Sequence, residues 1–67
     1  MFEDLYEHSV RYDDNLLQAA CVVQAEFDLE PGYTITDEIR LFIRAMAEEY
    51  RVDRRTLAKR LREIVED

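Results

Sequence analysis

The chain has few of the residues that reinforce or interrupt a small fold: its 67 residues include one cysteine, one proline, one glycine and no tryptophan. A single cysteine excludes an internal disulfide, and Cys21 with His8 gives too few ligands for a structural zinc site. Small secreted domains are usually rich in disulfides, so the sequence favours a cytoplasmic location. Cys21 has apolar neighbours and no nearby base, which predicts a buried, unreactive thiol.

Long apolar runs and catalytic motifs are missing as well. The longest apolar run is 19–23, whereas a membrane helix needs about 20 residues. The first residues are acidic where a secretion signal would be basic. The sequence offers no Ser/His/Asp set, no cluster of metal ligands and no glycine loop for phosphate. We therefore expect a protein that is not an enzyme, carries no metal or cofactor and does not bind a membrane.

Charge is the most unevenly distributed property of the chain. The net charge is −7, which alone disfavours nucleic acid as a partner. Residues 1–38, however, contain ten acids and one base, whereas residues 39–67 contain eight bases and six acids. Within 51–62, six bases accompany a single acid, Asp53. A local excess of +5 is typical of a nucleic-acid contact.

The apolar spacing is helical throughout and predicts one all-α domain over 1–67, with three or four helices. The first clear helix is expected from about 14 to 28, with Asp13 or Asp14 as its N-cap. An earlier amphipathic stretch, 1–12, fits either a short helix or an arm that packs on a partner subunit. Residues 1–30 would thus form an acidic arm and a dimerisation helix.

The 14–28 helix is apolar on nearly all sides, and two partner helices of a short chain can hardly cover it. We therefore expect a homodimer that buries part of this helix, with the core of a single chain as the alternative explanation. The residues assigned to that interface are Leu16, Leu17, Ala20, Val23 and Phe27.

Two further helices are expected within 34–67. Pro31-Gly32 predicts a turn, and Thr34 or Thr36 can cap a helix that buries Ile39, Ile43 and Ala47 together with Phe42, Met46 and Tyr50. A break at 51–52 precedes Asp53, which can cap a last helix over about 54–65. Its buried stripe is predicted to be Leu57, Ala58, Leu61, Ile64 and Val65.

The spacing of Ala47, Tyr50, Val52, Leu57 and Leu61 is the one that two steeply crossed helices need around a short turn. The stretch Ala-Glu-Glu-Tyr-Arg-Val-Asp-Arg-Arg-Thr-Leu-Ala-Lys-Arg-Leu-Arg-Glu-Ile lies within 44–64 and resembles the Fis-type helix-turn-helix of bacterial transcription factors. The sequence departs from that family at two positions. Arg51 stands where such turns usually carry glycine, and Asp53 replaces the more common serine at the cap.

The resemblance implies a C-terminal helix-turn-helix, a homodimer, and a transcriptional regulator of a bacterium, phage or plasmid that binds double-stranded DNA. In that arrangement Arg54, Arg55 and Lys59 would reach base edges. The side chains implied to hold phosphates are Arg51, Thr56, Arg60 and Arg62.

Two plainer or different interpretations stay open. The basic stretch could be a solvated helix face whose arginines pair with acids such as Asp53 or Glu49. Alternatively, the chain could be a helical interaction module whose acidic surface inhibits a host DNA-binding or regulatory protein.

Overall fold

Three helices make up the chain in the computed structural model, which describes the backbone of residues 2–66 and the side chains of residues 11–66. They are α1 (Phe2–Phe27), α2 (Asp37–Tyr50) and α3 (Arg54–Glu66), and α1 packs against both of the others. No strand is found in the described backbone. The prediction of an all-α fold is confirmed.

The first helix is longer than the sequence suggested. It begins at Phe2 and passes through Asp13 and Asp14 without a break, so the prediction that either aspartate caps a helix starting near 14 is wrong. Asp14 instead accepts a hydrogen bond from Gln18 Nε2 at 3.1 Å, one turn further along the same helix. The stretch 2–12 is accordingly the beginning of α1 and not a separate helix.

Helix α1 ends where the backbone of Asp28 turns left-handed, with φ of 49°. The amide of Leu29 then donates to the carbonyl of Gln24 at 3.2 Å, which is the closing bond of a Schellman motif. The predicted Pro31-Gly32 turn is confirmed: Tyr33 N–H donates to the carbonyl of Glu30 at 3.1 Å, and Gly32 has φ of 86°. Positive φ at the third position of a turn is easy only for glycine.

Helix α2 is capped as predicted, by Thr36. Its hydroxyl accepts from the amide of Ile39 at 3.3 Å, which satisfies one of the free amides of the first turn. The helix ends in a second Schellman motif, with Arg51 left-handed at φ 56° and ψ 49°. Val52 N–H donates to the carbonyl of Ala47 at 2.9 Å, and Arg51 N–H donates to that of Glu48 at 3.3 Å.

The core lies between the three helices and matches most of the predicted faces. Its most deeply buried large side chains are Leu57, Leu61 and Val23. Phe27 and Phe42 close one end with their rings edge to face, 5.4 Å between centroids. The buried set is Leu16, Ala19, Ala20, Val23, Leu29, Ile39, Ile43, Ala47, Val52, Leu57 and Leu61.

One side of α1 stays uncovered. Leu17 is 45% exposed, Val22 is 37% exposed, and Cys21 between them is a free, exposed thiol. The prediction that Cys21 is buried is therefore wrong, because α2 and α3 both pack on the opposite side of the helix, around Ala19, Ala20 and Val23.

Two long-range hydrogen bonds attach the α2–α3 turn to α1. Asn15 Nδ2 donates to the carbonyl of Tyr50 at 3.2 Å, and Asp53 N–H donates to the hydroxyl of Tyr12 at 3.1 Å. They satisfy backbone groups that the helix end and the turn would otherwise leave free. The first residues of α3 are therefore held against the middle of α1.

Candidate nucleic-acid interface

The start of α3 is built by Asp53, the predicted N-cap. Its carboxylate accepts from the backbone amide of Thr56 at 3.0 Å and from the Thr56 hydroxyl at 3.1 Å. The cap fixes the direction of the first turn, and that turn carries Arg54 and Arg55, both exposed. The predicted cap is confirmed.

The electrostatics of the cap follow from those bonds. The hydrogen bond from the Thr56 backbone amide, assisted by its hydroxyl, lowers the pKa of Asp53 below its ordinary value of 3.8. Arg55 lowers that pKa further through its charge. The carboxylate is thus ionised at neutral pH and complements the positive end of the helix dipole.

Most of the basic residues that are predicted to contact DNA extend into solvent. Arg51, Arg54, Arg55 and Lys59 are all exposed. Among the side chains that the structure describes, the one ion pair joins Arg62 to Glu66, at 3.4 Å. Asp53 interacts with Arg55 through its charge, but no described acid forms an ion pair with the basic residues in the first half of α3, as a face of helical ion pairs would require.

Arg62 and Arg60 are placed differently from the other bases. The Arg62 guanidinium lies 5.2 Å from the ring centroid of Tyr33 and pairs with Glu66, so it is already engaged within the chain. Burial raises the pKa of the Tyr33 phenol, and the Arg62 charge opposes that shift. Arg60 is half-buried and lines a cleft with acids of α1, Asp13 and Asp14.

Thr56 is exposed, but its hydroxyl donates to Asp53. A phosphate contact by Thr56 would have to share or replace that bond. The structure thus brings Arg54, Arg55 and Lys59 together at the first two turns of α3, with Arg51 just before them, and separates them from Arg60 and Arg62.

A groove between α2 and α3 contains two bases that sequence reasoning missed. Arg40 and Arg44 line it from α2, opposite Arg54 and Arg55 from α3. The remaining lining is apolar and consists of Ile35, Leu41, Ile43 and Ala58. We call this feature the arginine groove.

The spacing of Arg40 and Arg44, one helical turn apart, is visible in the sequence, and both are exposed in the structure. Their nearness to the start of α3 was not visible, because it depends on how the two helices cross. A pair of bases at i and i+4, just before a basic helix in a hairpin, is the signal that could have identified them.

The five residues predicted for a dimer interface divide into two groups. Leu16, Ala20 and Val23 are buried in the core of the single chain, and Phe27 is half-buried against Phe42. Only Leu17 is exposed. Three of the five residues therefore have almost no surface left for a second copy, because α2 and α3 cover them.

Comparison of the chain with protein-family models, with curated proteins and with solved structures finds no match. Within the described residues, no helix has the length and apolar content needed to cross a bilayer.

Proposed function

We propose that the chain is a small DNA-binding transcriptional regulator of a bacterium, phage or plasmid. It would act as a homodimer in the cytoplasm. In this proposal α2 and α3 form a helix-turn-helix, and the first half of α3 enters the major groove. The observation that carries the proposal is the exposed group Arg54, Arg55 and Lys59, which forms no ion pair with any described side chain.

Three features support this use of the group. The turn between α2 and α3 is short, because the left-handed Arg51 ends one helix and Asp53 caps the next within three residues. Both ends of the turn are hydrogen-bonded to α1, so α3 is held in one orientation relative to α1 before DNA binds. Arginine can also contact guanine in a bidentate manner that fixes base identity.

The basic side chains would have distinct roles in DNA binding. Arg54, Arg55 and Lys59 would contact base edges, whereas Arg51, with Arg40 and Arg44 of α2, would contact phosphates on either side. Arg60 and Arg62 contribute less in this arrangement, since Arg60 is half-buried in a cleft that Asp13 and Asp14 also line, and Arg62 is engaged by Tyr33 and Glu66.

The test is DNA binding by the full chain at two salt concentrations, on mixed genomic duplex fragments. We expect binding at low salt. The logarithm of the affinity should fall with the logarithm of the salt concentration, at a slope of about −0.9 for each phosphate contacted. The double variant Arg55→Ala/Lys59→Ala should weaken binding by roughly 100-fold, at about 1–3 kcal/mol for each lost contact.

The matched control is Arg11→Ala/Arg62→Ala, which removes the same charge elsewhere on the chain. It should keep most of the affinity. Absence of binding at low salt, or equal losses in both double variants, would refute the proposal. A folded chain that fails to bind DNA would instead favour the acidic interaction module.

A further inference from the structure

The arginine groove combines features that DNA does not need together. Four arginines line it together with apolar side chains, and one of these, Leu41, is 64% exposed, the most exposed large apolar side chain in the described part of the chain. DNA phosphates would contact the arginines but would leave the apolar surface exposed to water. A helix with carboxylates beside large apolar side chains would use both.

The arginines of the groove form no ion pair within the described part of the chain, although the Asp53 charge acts on Arg55. No described carboxylate lies within ion-pair distance of Arg40, Arg44, Arg54 or Arg55, since the one described pair is Arg62–Glu66. This is unexpected in a chain with 16 acids and 9 bases. The charge balance points to an acidic segment that comes from elsewhere.

The first residues of the chain have the complementary composition. Residues 2–10 contain three acids and no lysine or arginine, and large apolar residues stand between the acids. Glu3 and Glu7 are one helical turn apart, as are Arg40 and Arg44, so each pair spans about 6 Å along its helix. Phe2 and Tyr6 repeat at the same spacing, suited to the apolar side chains that line the groove.

This segment cannot reach the arginine groove of its own chain. Helix α1 runs antiparallel to α2, with Phe27 against Phe42 at one end and Asn15 bonded to Tyr50 at the other. Because α1 is continuous from Phe2, residues 2–10 continue past the C-terminal end of α2 for about 15 Å. Arg40 and Arg44 lie in the opposite direction, two residues before and two residues after Phe42 in α2.

We propose that the arginine groove binds the acidic segment 2–10 of a second copy, and that two copies exchange these segments reciprocally. Such an exchange is a closed, twofold arrangement in which each copy gives and receives the same contact. The inference rests on the proposed homodimer and not on DNA binding. It assigns the dimer contact to residues outside the predicted set on α1.

The arrangement has a consequence for the proposed DNA surface. All four arginines of the groove are also assigned DNA contacts in the proposed function, so a docked segment and a duplex would compete for the same guanidinium groups. The exchanged dimer would therefore be the form of the chain away from DNA, and a duplex would have to displace the segments.

A charge-swap experiment on the full chain tests the proposal, with sedimentation equilibrium over a micromolar to millimolar series and no DNA present. The segment variant is Glu3→Lys/Glu7→Lys, and the groove variant is Arg40→Glu/Arg44→Glu. Each alone should weaken the dimer roughly tenfold or more, because like charges then face each other. An equimolar mixture should recover wild-type dimerisation, since both contacts of the mixed dimer are complementary again.

The matched control is Glu26→Lys/Glu49→Lys, which makes the same charge change at exposed positions of α1 and α2 and should leave the dimer constant unchanged. Helical circular dichroism checks folding, and Arg40→Gln/Arg44→Gln replaces the groove variant if that one is unfolded. A wild-type chain that stays at 8.0 kDa, variants that dimerise normally, or a mixture that does not recover would each overturn the proposal. DNA binding can fail without affecting this readout.

Discussion

The two connections between the helices begin alike and then differ. Both start with a Schellman motif that places a non-glycine residue in the left-handed region, Asp28 in the first and Arg51 in the second. The first then takes nine residues, 28–36, to reach α2, whereas the second needs only 51–53 to reach α3.

The bonds that hold the two connections differ in range. The first is held by its own neighbourhood, through Tyr33 N–H to Glu30 and Gln24 Nε2 to the Leu29 carbonyl at 3.2 Å. The second is held by distant residues, Tyr12 and Asn15 of α1. The long connection therefore spaces two helices, while the short one orients α3 and its arginines.

The largest expected effect tests the packing beneath the short connection. Ala47 is 2% exposed, and its carbonyl closes the second Schellman motif. Ala47→Leu should destabilise the chain by about 2 kcal/mol, because a well-packed core has no room for three more carbon atoms. Chemical denaturation measures this loss.

The control for that prediction is Ala45→Leu on the exposed side of the same helix. Its effect should stay within about 0.5 kcal/mol. Equal effects at the two positions would show that the α2–α3 crossing is not closely packed.

A smaller effect of opposite sign comes from the left-handed residues. Arg51→Gly should stabilise the chain by about 0.5 kcal/mol, because glycine adopts positive φ without the steric cost that arginine bears. Asp28→Gly should gain less, since aspartate tolerates this conformation better than most residues. Arg51→Ala keeps the strain and separates the backbone effect from loss of the guanidinium. Thermal denaturation should show the largest gain in stability for Arg51→Gly, a smaller gain for Asp28→Gly and none for Arg51→Ala, and a net loss for Arg51→Gly would contradict the prediction.

The smallest effect is the pH response of the two helix starts. The pKa of Asp53 is lowered in the folded chain, so its stabilising contribution is complete above the unfolded value and is lost as pH falls through the folded value. The cap of α2 is the Thr36 hydroxyl, which does not titrate in this range.

Proton chemical shifts of the backbone amides check this difference. The Thr56 amide should titrate with a midpoint below 3.8, the ordinary aspartate value, and Ile39 should not follow the same curve. Asp53→Asn should abolish the Thr56 titration. A shared midpoint for both amides would indicate global acid unfolding.

Local signals in the sequence predicted most of the fold after residue 28. Thr36, Asp53 and Pro31-Gly32 act on their immediate neighbours, so their positions were readable without a tertiary structure. The buried faces of α2 and α3 followed from their spacing in the same way. Arg51 stood where a glycine was expected and does adopt positive φ.

The start of α1 and the location of the basic residues were harder to predict. Asp13 and Asp14 look like caps, but an aspartate within a helix can also bond to a residue one turn on, as Asp14 does with Gln18. The apolar residues of α1 gave no indication of which side α2 and α3 would cover. The arginine groove depends on that same packing, so Arg40 and Arg44 emerged only from the structure.

The bonds from Tyr12 and Asn15 have a mechanical consequence. They attach the short turn between α2 and α3 to the middle of α1, a continuous helix of 26 residues. The start of α3 is thus fixed to α1 at two points, so a change in the orientation of α1 would also move Arg54 and Arg55.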